Sequence, residues 1–155
     1  MALPGQSRAA NIKDSWKKYL NTNLKSDTVY VSFDNSLKQP KVQGRPMERW
    51  VTCKIGQHLP GVIAEQIVEF WCCTRRDSEG YKCAQLRDTV YGLLTDSGDV
   101  FKRIPLYRSH PTEAWTVIGQ MLIRKEWIVE SGESEAEDNT KIRKLTVRTR
   151  FGSGF

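Results

Sequence analysis

Thiols and imidazoles are the first groups to consider for chemistry, because a cysteine beside a histidine can act as nucleophile and base. The chain has four cysteines and two histidines. Cys53 and His58 are close in sequence, but Cys53 falls on the apolar side of an alternating segment, where a buried thiol is unreactive. We therefore expect no nucleophilic catalysis from this pair.

The cysteine spacing also argues against a metal centre. No Cys-x-x-Cys pair occurs, and the two histidines lie far apart in sequence, so a zinc site with paired ligands is not predicted. Cys72 and Cys73 would point to opposite faces of a strand and should not bridge. The acids of residues 133–138 lack the fixed spacing and glycine of a calcium loop. We expect no metal, no cofactor, and free thiols that are mostly buried, in a reducing compartment.

Carboxylates and phosphate-binding motifs complete the search for catalysis. Glu65 and Glu69 share one face of a predicted strand about 13 Å apart at ~3.3 Å per residue, which is too far for a retaining carboxylate pair. The sequence contains no Gly-x-Gly-x-x-Gly, no phosphate-binding loop and no Gly-x-Ser-x-Gly. The sequence therefore predicts a protein that is not an enzyme.

Charge and composition favour a single globular domain with a binding role. The chain has 155 residues and 10% aromatics, and no apolar run approaches the ~20 residues of a membrane span. Neither a membrane protein nor a secretory leader is expected. The net charge of +6 falls within residues 1–54, and the remainder is balanced. Such a surplus suits an anionic partner, although it also suits an ordinary soluble surface.

Three charged groups are the candidates for binding. A basic row alternates along predicted strand 141–151 opposite an apolar face, and its members are Lys144, Arg148 and Arg150. An acidic tip precedes that strand, and its members are Glu133, Glu135, Glu137 and Asp138. A basic loop at residues 34–47 carries Arg45, with Arg49 at its exit. The row has two readings: it contacts an anionic partner, or its charges protect an edge strand from aberrant pairing.

The first helix offers an alternative nucleic-acid site that packing explains better. Trp16 and Tyr19 stand beside Lys17 and Lys18, as a stacking and phosphate site requires. The two rings nevertheless share a helical face with apolar residues at positions 12 and 20. This spacing favours a place in the core.

The elements that position these residues follow from periodicity. A helix should begin at Asn11 as its cap and reach residue 24, and a second should span about 78–95. Strands are expected at 29–33, 50–55, 65–74 and 100–107, the last at an edge because of Pro105. The 65–74 strand has two apolar faces, which predicts cover on both sides.

The C-terminal third reads as a β-hairpin. Residues 115–130 are strongly strand-like but long for one strand, so they bend near Gly119 or extend as an arm. Residues 130–139 are expected to be a solvated acidic loop, with 141–151 as the return strand. We predict an α+β fold, a mostly antiparallel sheet with two helices packed on it and a long C-terminal β-hairpin. Residues 1–10 should form a flexible arm, and 11–155 one domain.

This order of elements resembles the tail terminator, or tail completion, proteins of long-tailed bacteriophages. The resemblance covers residues 10–151 and rests on the ordered segments 12–24, 29–34, 50–56, 65–71 and 81–94, followed by the hairpin. It implies a hexameric ring in the head-proximal end of the virion tail, assembled in the host cytoplasm. Such a ring caps the tail tube, stops its polymerisation and joins the head. It implies no catalytic residue and no cofactor.

The same resemblance implies the partners. They are further copies of this chain, the tail-tube protein and a head-side connector, with DNA only in transit through the channel. On this reading the acidic tip and the basic segments set register between subunits, and the basic row lines the channel or contacts the tube. Two alternatives remain open: a different joining protein of the neck, and a small basic nucleic-acid-binding module.

Overall fold

The computed structural model describes residues 8–61, 63–108 and 116–152. Within them the helices are α1 (Arg8–Asn23) and α2 (Tyr81–Leu94), and a 3-10 turn spans Lys125–Trp127. The strands in chain order are β1 (Tyr30–Phe33), β2 (Lys41–Val42), β3 (Arg45–Pro46), β4 (Arg49–Leu59), β5 (Ile63–Thr74), β6 (Phe101–Tyr107), β7 (Val117–Arg124), β8 (Ile128–Glu135) and β9 (Lys141–Gly152).

One large sheet organises the chain, in the order β1-β4-β5-β9-β7-β6, with β8 also pairing β9. The α+β prediction is confirmed, but the sheet is mixed, since β1 pairs β4 in parallel. A parallel pair needs a crossover of about a dozen residues, which the segment between Phe33 and Arg49 supplies. The short β2–β3 hairpin lies within that crossover.

β9 is an interior strand of this sheet. It pairs with β5 along its length, with Glu65 opposite Arg150 and Glu69 opposite Thr146. Its other side pairs with β8 and, near its end, with β7. The reading of the basic row as an edge-strand device is therefore wrong. Pro105 does lie in an end strand, β6, as predicted.

Both helices pack on one face of the sheet and bury its apolar side chains. The predicted α1 stripe is confirmed, and Trp16 packs edge-on against Phe70 with ring centroids 5.3 Å apart. The two end strands, β1 and β6, both contact α1, so the sheet curls around that helix. Trp16 is fully buried, and Tyr19 donates to the Leu93 carbonyl at 2.5 Å, which joins the two helices.

The start of α1 differs from the prediction. The helix begins at Arg8, so residues 8–10 of the expected arm are helical, and the rest of that arm lies outside the described residues. Asn11 is not a cap, because it lies inside the helix and is buried. The Ser15 hydroxyl donates to the Asn11 carbonyl at 2.6 Å and accepts from the Tyr107 amide at 2.7 Å. This contact ties α1 to β6.

A carboxylate outside the helix stabilises the start of α2. Asp77 accepts from the Lys82 amide at 3.1 Å, the Cys83 amide at 2.8 Å and the Thr74 hydroxyl at 2.9 Å. Burial raises the pKa of Asp77, but the three donors outweigh it, and the pKa lies below its ordinary value. The side chain thus satisfies amides that the first turn of a helix leaves without partners.

The C-terminal hairpin is present as β8–β9, but its boundaries differ from the prediction. The strand predicted over 115–130 does not bend at Gly119, which lies within β7. It is interrupted instead by the 3-10 turn Lys125–Trp127. Residues 130–135 belong to β8, so the expected acidic loop shrinks to the turn before β9. Gly132 has a φ of 77°, and the pairing register shifts between Glu130 and Glu133. These features mark a bulge, which hides the strand's alternation in the sequence.

Candidate interaction surfaces

The sheet face opposite the helices, called here the outer face, holds the predicted basic row. Strand alternation sends Val68 and Phe70 into the core and their neighbours outward. The prediction of cover on both faces holds only at the end of β5, where the outward Cys73 is buried. The outward residues before it stay half-buried or exposed, and neither described helix packs on them. The residues of this face are Lys54, Glu65, Ile67, Glu69, Trp71, Trp127, Val129, Lys144, Thr146, Arg148 and Arg150.

Each member of the basic row has a counter-ion on β5. Arg150 Nε lies 2.8 Å from Glu65 Oε1, and Arg148 Nε lies 3.4 Å from Glu65 Oε2. Lys144 Nζ lies 3.5 Å from Glu69 Oε2. The two glutamates, which the sequence presents as a separated carboxylate pair, serve as counter-ions, because β5 pairs with β9. Three cations share two carboxylates, so the row is largely neutralised.

Aromatic rings engage the same cations. The Arg150 guanidinium lies 4.4 Å from the centroid of Trp127, and Lys144 Nζ lies 5.0 Å from that of Trp71. Lys54 Nζ also lies 5.3 Å from the Trp71 centroid. Cations over ring faces are attracted by the ring quadrupole. The sequence did not predict this arrangement, because each ring meets a cation from a segment that is distant along the chain.

Apolar clefts lie between these ion-paired groups. One cleft, of about 230 Å³, is lined by Ile67, Trp127, Val129 and Arg148, among others. A second, of about 380 Å³, lies on the other side of Trp127 and includes Ile63. Val129 is 65% exposed and Ile63 is 66% exposed. The outer face thus presents apolar surface framed by satisfied charges.

Open strand edges adjoin this surface. Among the described residues β8 pairs with β9 alone, and β1 pairs with β4 alone. The free side of each strand carries backbone amides and carbonyls that another chain can pair with. Val129 lies on β8, beside one of these edges.

The acidic tip is not one outward-facing cluster. Glu135 pairs with Lys141 at 2.9 Å, and Glu133 lies 4.0 Å from Arg143. Asp138 pairs with Arg75 at 3.0 Å, and the Thr140 hydroxyl and the Arg75 charge lower the pKa of Asp138. Glu137 is exposed and has no ion pair with any residue that the structure describes. Most tip charges therefore act within the chain.

Glu130 is a charged residue that sequence analysis missed. Its carboxylate lies 2.9 Å from Arg87 Nη2 and 3.1 Å from Arg143 Nη1. The bridge joins α2 to β8 and β9. The sequence did not predict this bridge, because most of β8 falls in the expected loop 130–139. The pairing of β8 with β9 places Arg143 opposite Glu133, within reach of Glu130.

Residues 37–47, called here the basic hairpin, hold the third predicted group. Val42 pairs with Arg45, and the intervening Gln43 and Gly44 have φ values of 51° and 77°. Positive φ at both central residues is what a tight two-residue hairpin requires. The sequence predicts a loop here and not a hairpin, because Gln-Gly is a weaker hairpin-turn signal than Asn-Gly.

The base of the basic hairpin is held by hydrogen bonds. The buried Trp50 indole donates to the Leu37 carbonyl at 3.2 Å, and the Gln39 amide donates to the Met47 carbonyl at 3.0 Å. Arg75 donates to the Gln39 amide oxygen at 3.1 Å. The hairpin is therefore anchored to the sheet at one end while its turn lies in solvent.

The cations of the basic hairpin have no counter-ions among the residues that the structure describes. Lys38, Lys41 and Arg45 are exposed, and none forms an ion pair with any part of the chain that the structure describes. Arg49, at the start of β4, is half-buried and likewise has no ion pair with a described residue. Residues 37–47 contain no acidic and no aromatic side chain.

The four thiols are buried and unbridged. Burial raises the pKa of Cys83 to about 11 and that of Cys73 to about 12. It also raises the pKa of Cys53 and Cys72 well above the ordinary range. Within residues 8–61, 63–108 and 116–152, no three His, Cys, Asp or Glu side chains form a group fit to hold a metal ion.

A scan against models of protein families matches none, and a search of curated proteins finds no match. No described helix is long and apolar enough to cross a membrane. The surfaces described above are therefore the basis for assigning a function.

Proposed function

We propose that this chain is a structural virion protein, a phage tail terminator. It assembles as a homo-oligomeric ring of six copies, caps the tail tube, ends tube polymerisation and provides the surface that joins the head. Its partners are copies of itself, the tail-tube protein and a head-side connector. The observation that carries the proposal is the outer face with its free β8 edge.

The chemistry of the outer face suits protein association. Interface centres are rich in aromatic residues and arginine and poor in unpaired charge. Trp127, Ile67 and Val129 supply apolar surface, and the nearby arginines already have their counter-ions on Glu65. Covering this face would therefore bury apolar area while the two arginines keep the carboxylate of Glu65 as their counter-ion.

A closed ring also needs two different complementary surfaces on each copy, joined head to tail. The free edges of β1 and β8 lie on different parts of the sheet. One copy can offer the β8 edge and the next a second surface, and closure then leaves neither exposed. The order of helices and strands from α1 to β6 agrees with the pattern on which the resemblance to tail terminators rests, and this supports the proposal.

The ion pairs refine the role of the basic row. Lys144, Arg148 and Arg150 would bind DNA phosphates tightly only if they lacked counter-ions, because affinity rises with each phosphate neutralised. Their pairing with β5 glutamates favours contact with protein, or a lumen wall that lets DNA pass.

The first test is the assembly state. Sedimentation velocity and native mass spectrometry of the purified chain should give a closed ring of six copies. Val129→Lys should shift the population towards single chains, because it places a charge in the proposed contact. Val42→Lys is the matched control, since Val42 is 40% exposed on the basic hairpin and lines neither cleft of the outer face. A wild-type protein that is monomeric at every concentration and ionic strength would exclude the proposal.

The second test separates a terminator from another joining protein of the neck. Tail-tube subunits are allowed to polymerise in vitro, and tube lengths are measured by electron microscopy. Addition of this protein should stop elongation, with the ring at one tube end. A ring that leaves tube length unchanged would support the neck protein.

A further inference from the structure

The basic hairpin is the charged feature that the proposed function leaves without a role. Its three exposed cations lie on a short projection that is anchored at its base through Trp50 and Arg75. The basic row and most of the acidic tip, by contrast, form ion pairs within the described chain. A lysine or arginine without a counter-ion can bind an external anion without first breaking an internal ion pair.

We propose that the basic hairpin binds the phosphate backbone of duplex DNA through Lys38, Lys41 and Arg45, without reading base sequence. Lysine and arginine contacts to phosphates position a protein on DNA and carry no sequence information directly. The inference concerns a surface other than the outer face, and it goes beyond the proposed function.

The composition of the hairpin favours a duplex backbone over other anions. Sites for single-stranded nucleic acid stack bases on aromatic rings, and residues 37–47 contain none. Protein interfaces are poor in lysine and rich in aromatic residues, whereas this hairpin carries two lysines and one arginine. Evenly exposed cations without acids or rings match the phosphate contacts of a non-specific DNA-binding element.

The geometry also fits approach to a duplex. The turn at Gln43 and Gly44 is exposed, and a Cβ added at Gly44 would meet nothing within 4 Å. The two strands pair as a narrow ribbon, a shape that reaches along a DNA groove. Since the base is hydrogen-bonded to the sheet, less conformational entropy is lost on binding than for a loose loop.

The experiment measures binding of a fluorescent duplex of mixed sequence to the full chain by anisotropy over a range of NaCl concentrations. Three phosphate contacts predict a slope of log affinity against log salt of about −2.7 per bound copy, which is roughly a forty-fold loss between about 50 and 200 mM. The variant Lys38→Gln/Lys41→Gln/Arg45→Gln should lose this salt-dependent binding.

The matched control is Lys17→Gln/Lys25→Gln/Lys102→Gln, which removes the same formal charge from lysines that lie outside the hairpin and form no ion pair with a described residue. The inference predicts that this control keeps the wild-type salt slope. Equal losses in both variants would attribute binding to net charge and overturn the inference. A hairpin variant that binds as the wild type does would overturn it as well.

Two further probes decide the class of anion. A labelled single strand should bind more weakly than the duplex, and a single strand bound more tightly would contradict the inference. Polyglutamate should not displace the duplex at equal charge, and binding to polyglutamate without binding to DNA would replace DNA with an acidic protein. A monomeric chain that binds DNA through the hairpin would exclude the ring while leaving this inference in place.

Discussion

The molecule has two basic regions of nearly equal formal charge that its fold treats in opposite ways. On the outer face, Lys144, Arg148 and Arg150 lie within 3.5 Å of carboxylates on β5. On the basic hairpin, the three cations have no ion pair within the described chain. The position of each region in the sheet explains the difference. β9 has a long neighbouring strand that can supply counter-ions, whereas β2 and β3 pair only with each other.

The contrast distinguishes two roles of basic side chains: those of the outer face stabilise the fold, and those of the basic hairpin are available to bind a partner. Cross-strand ion pairs on a half-buried face hold the register of β5 against β9. Unpaired surface lysines contribute little to folding, and they remain free to contact an anion. Net charge alone would not reveal which region is which, because both count equally in the total.

The largest expected loss of stability comes from removing the buried carboxylate of Asp77, which accepts three hydrogen bonds. Asp77→Ala should lower the free energy of unfolding by about 2 kcal/mol, because two helix amides and the Thr74 hydroxyl lose their acceptor. Urea titration at neutral pH measures it. Asp96→Ala, at an exposed site beyond the end of α2, is the control and should change little.

The same residue gives a pH dependence with a defined sign. A lowered folded-state pKa contributes stability above the unfolded-state value, and this contribution is lost as pH falls through the folded value. The stability gap between wild type and Asp77→Ala should therefore be constant above about pH 5 and narrow below about pH 4. A gap that widens in acid would show that the carboxylate is not held in its charged form.

The second-largest expected loss of stability tests the outer face, where the cations of the basic row have counter-ions. Glu65→Gln should lower the free energy of unfolding by about 1 kcal/mol, because Arg148 and Arg150 lose their shared counter-ion at a partly buried site. Glu79→Gln is the matched control, since Glu79 is exposed and forms no ion pair with a described residue. Thermal and urea unfolding should distinguish the two variants, and equal stability would remove the structural role assigned to the row.

The smallest effect belongs to the hairpin. Lys38→Gln/Lys41→Gln/Arg45→Gln should change the free energy of unfolding by less than about 0.5 kcal/mol, because these side chains form no ion pair or hydrogen bond with a described residue. Urea titration provides the measurement. A loss as large as that of Glu65→Gln would mean that the hairpin cations stabilise the fold, and the contrast between the regions would disappear.

Much of the fold follows from local patterns in the sequence. The spacing of Ile12, Trp16 and Leu20 fixes the buried face of α1, and alternation fixes which side chains of β9 point into the core. These signals are local, since each depends on one element and its period. Pro105 likewise marks an end strand through its missing amide.

What the sequence did not predict depends on contacts between distant segments. Polar residues and the bulge at Gly132 obscure the alternation of β8, so the sequence does not predict this strand. It does not predict the Glu130 ion pairs either, because they depend on the pairing of β8 with β9. Local alternation predicts the row of cations on β9. It does not predict the ion pairs that neutralise them, because the counter-ions lie on β5, far away in sequence. The parallel pairing of β1 with β4 also leaves no local signal, because the length of the crossover permits it without requiring it.

The buried thiols make the protein its own probe of unfolding. Cys53 lies on β4, Cys72 and Cys73 on β5, and Cys83 on α2. Because a thiol-modifying reagent needs an accessible thiolate, each position reacts only after its own element opens. The order in which the four become modified would therefore trace the sequence of steps by which the native structure comes apart.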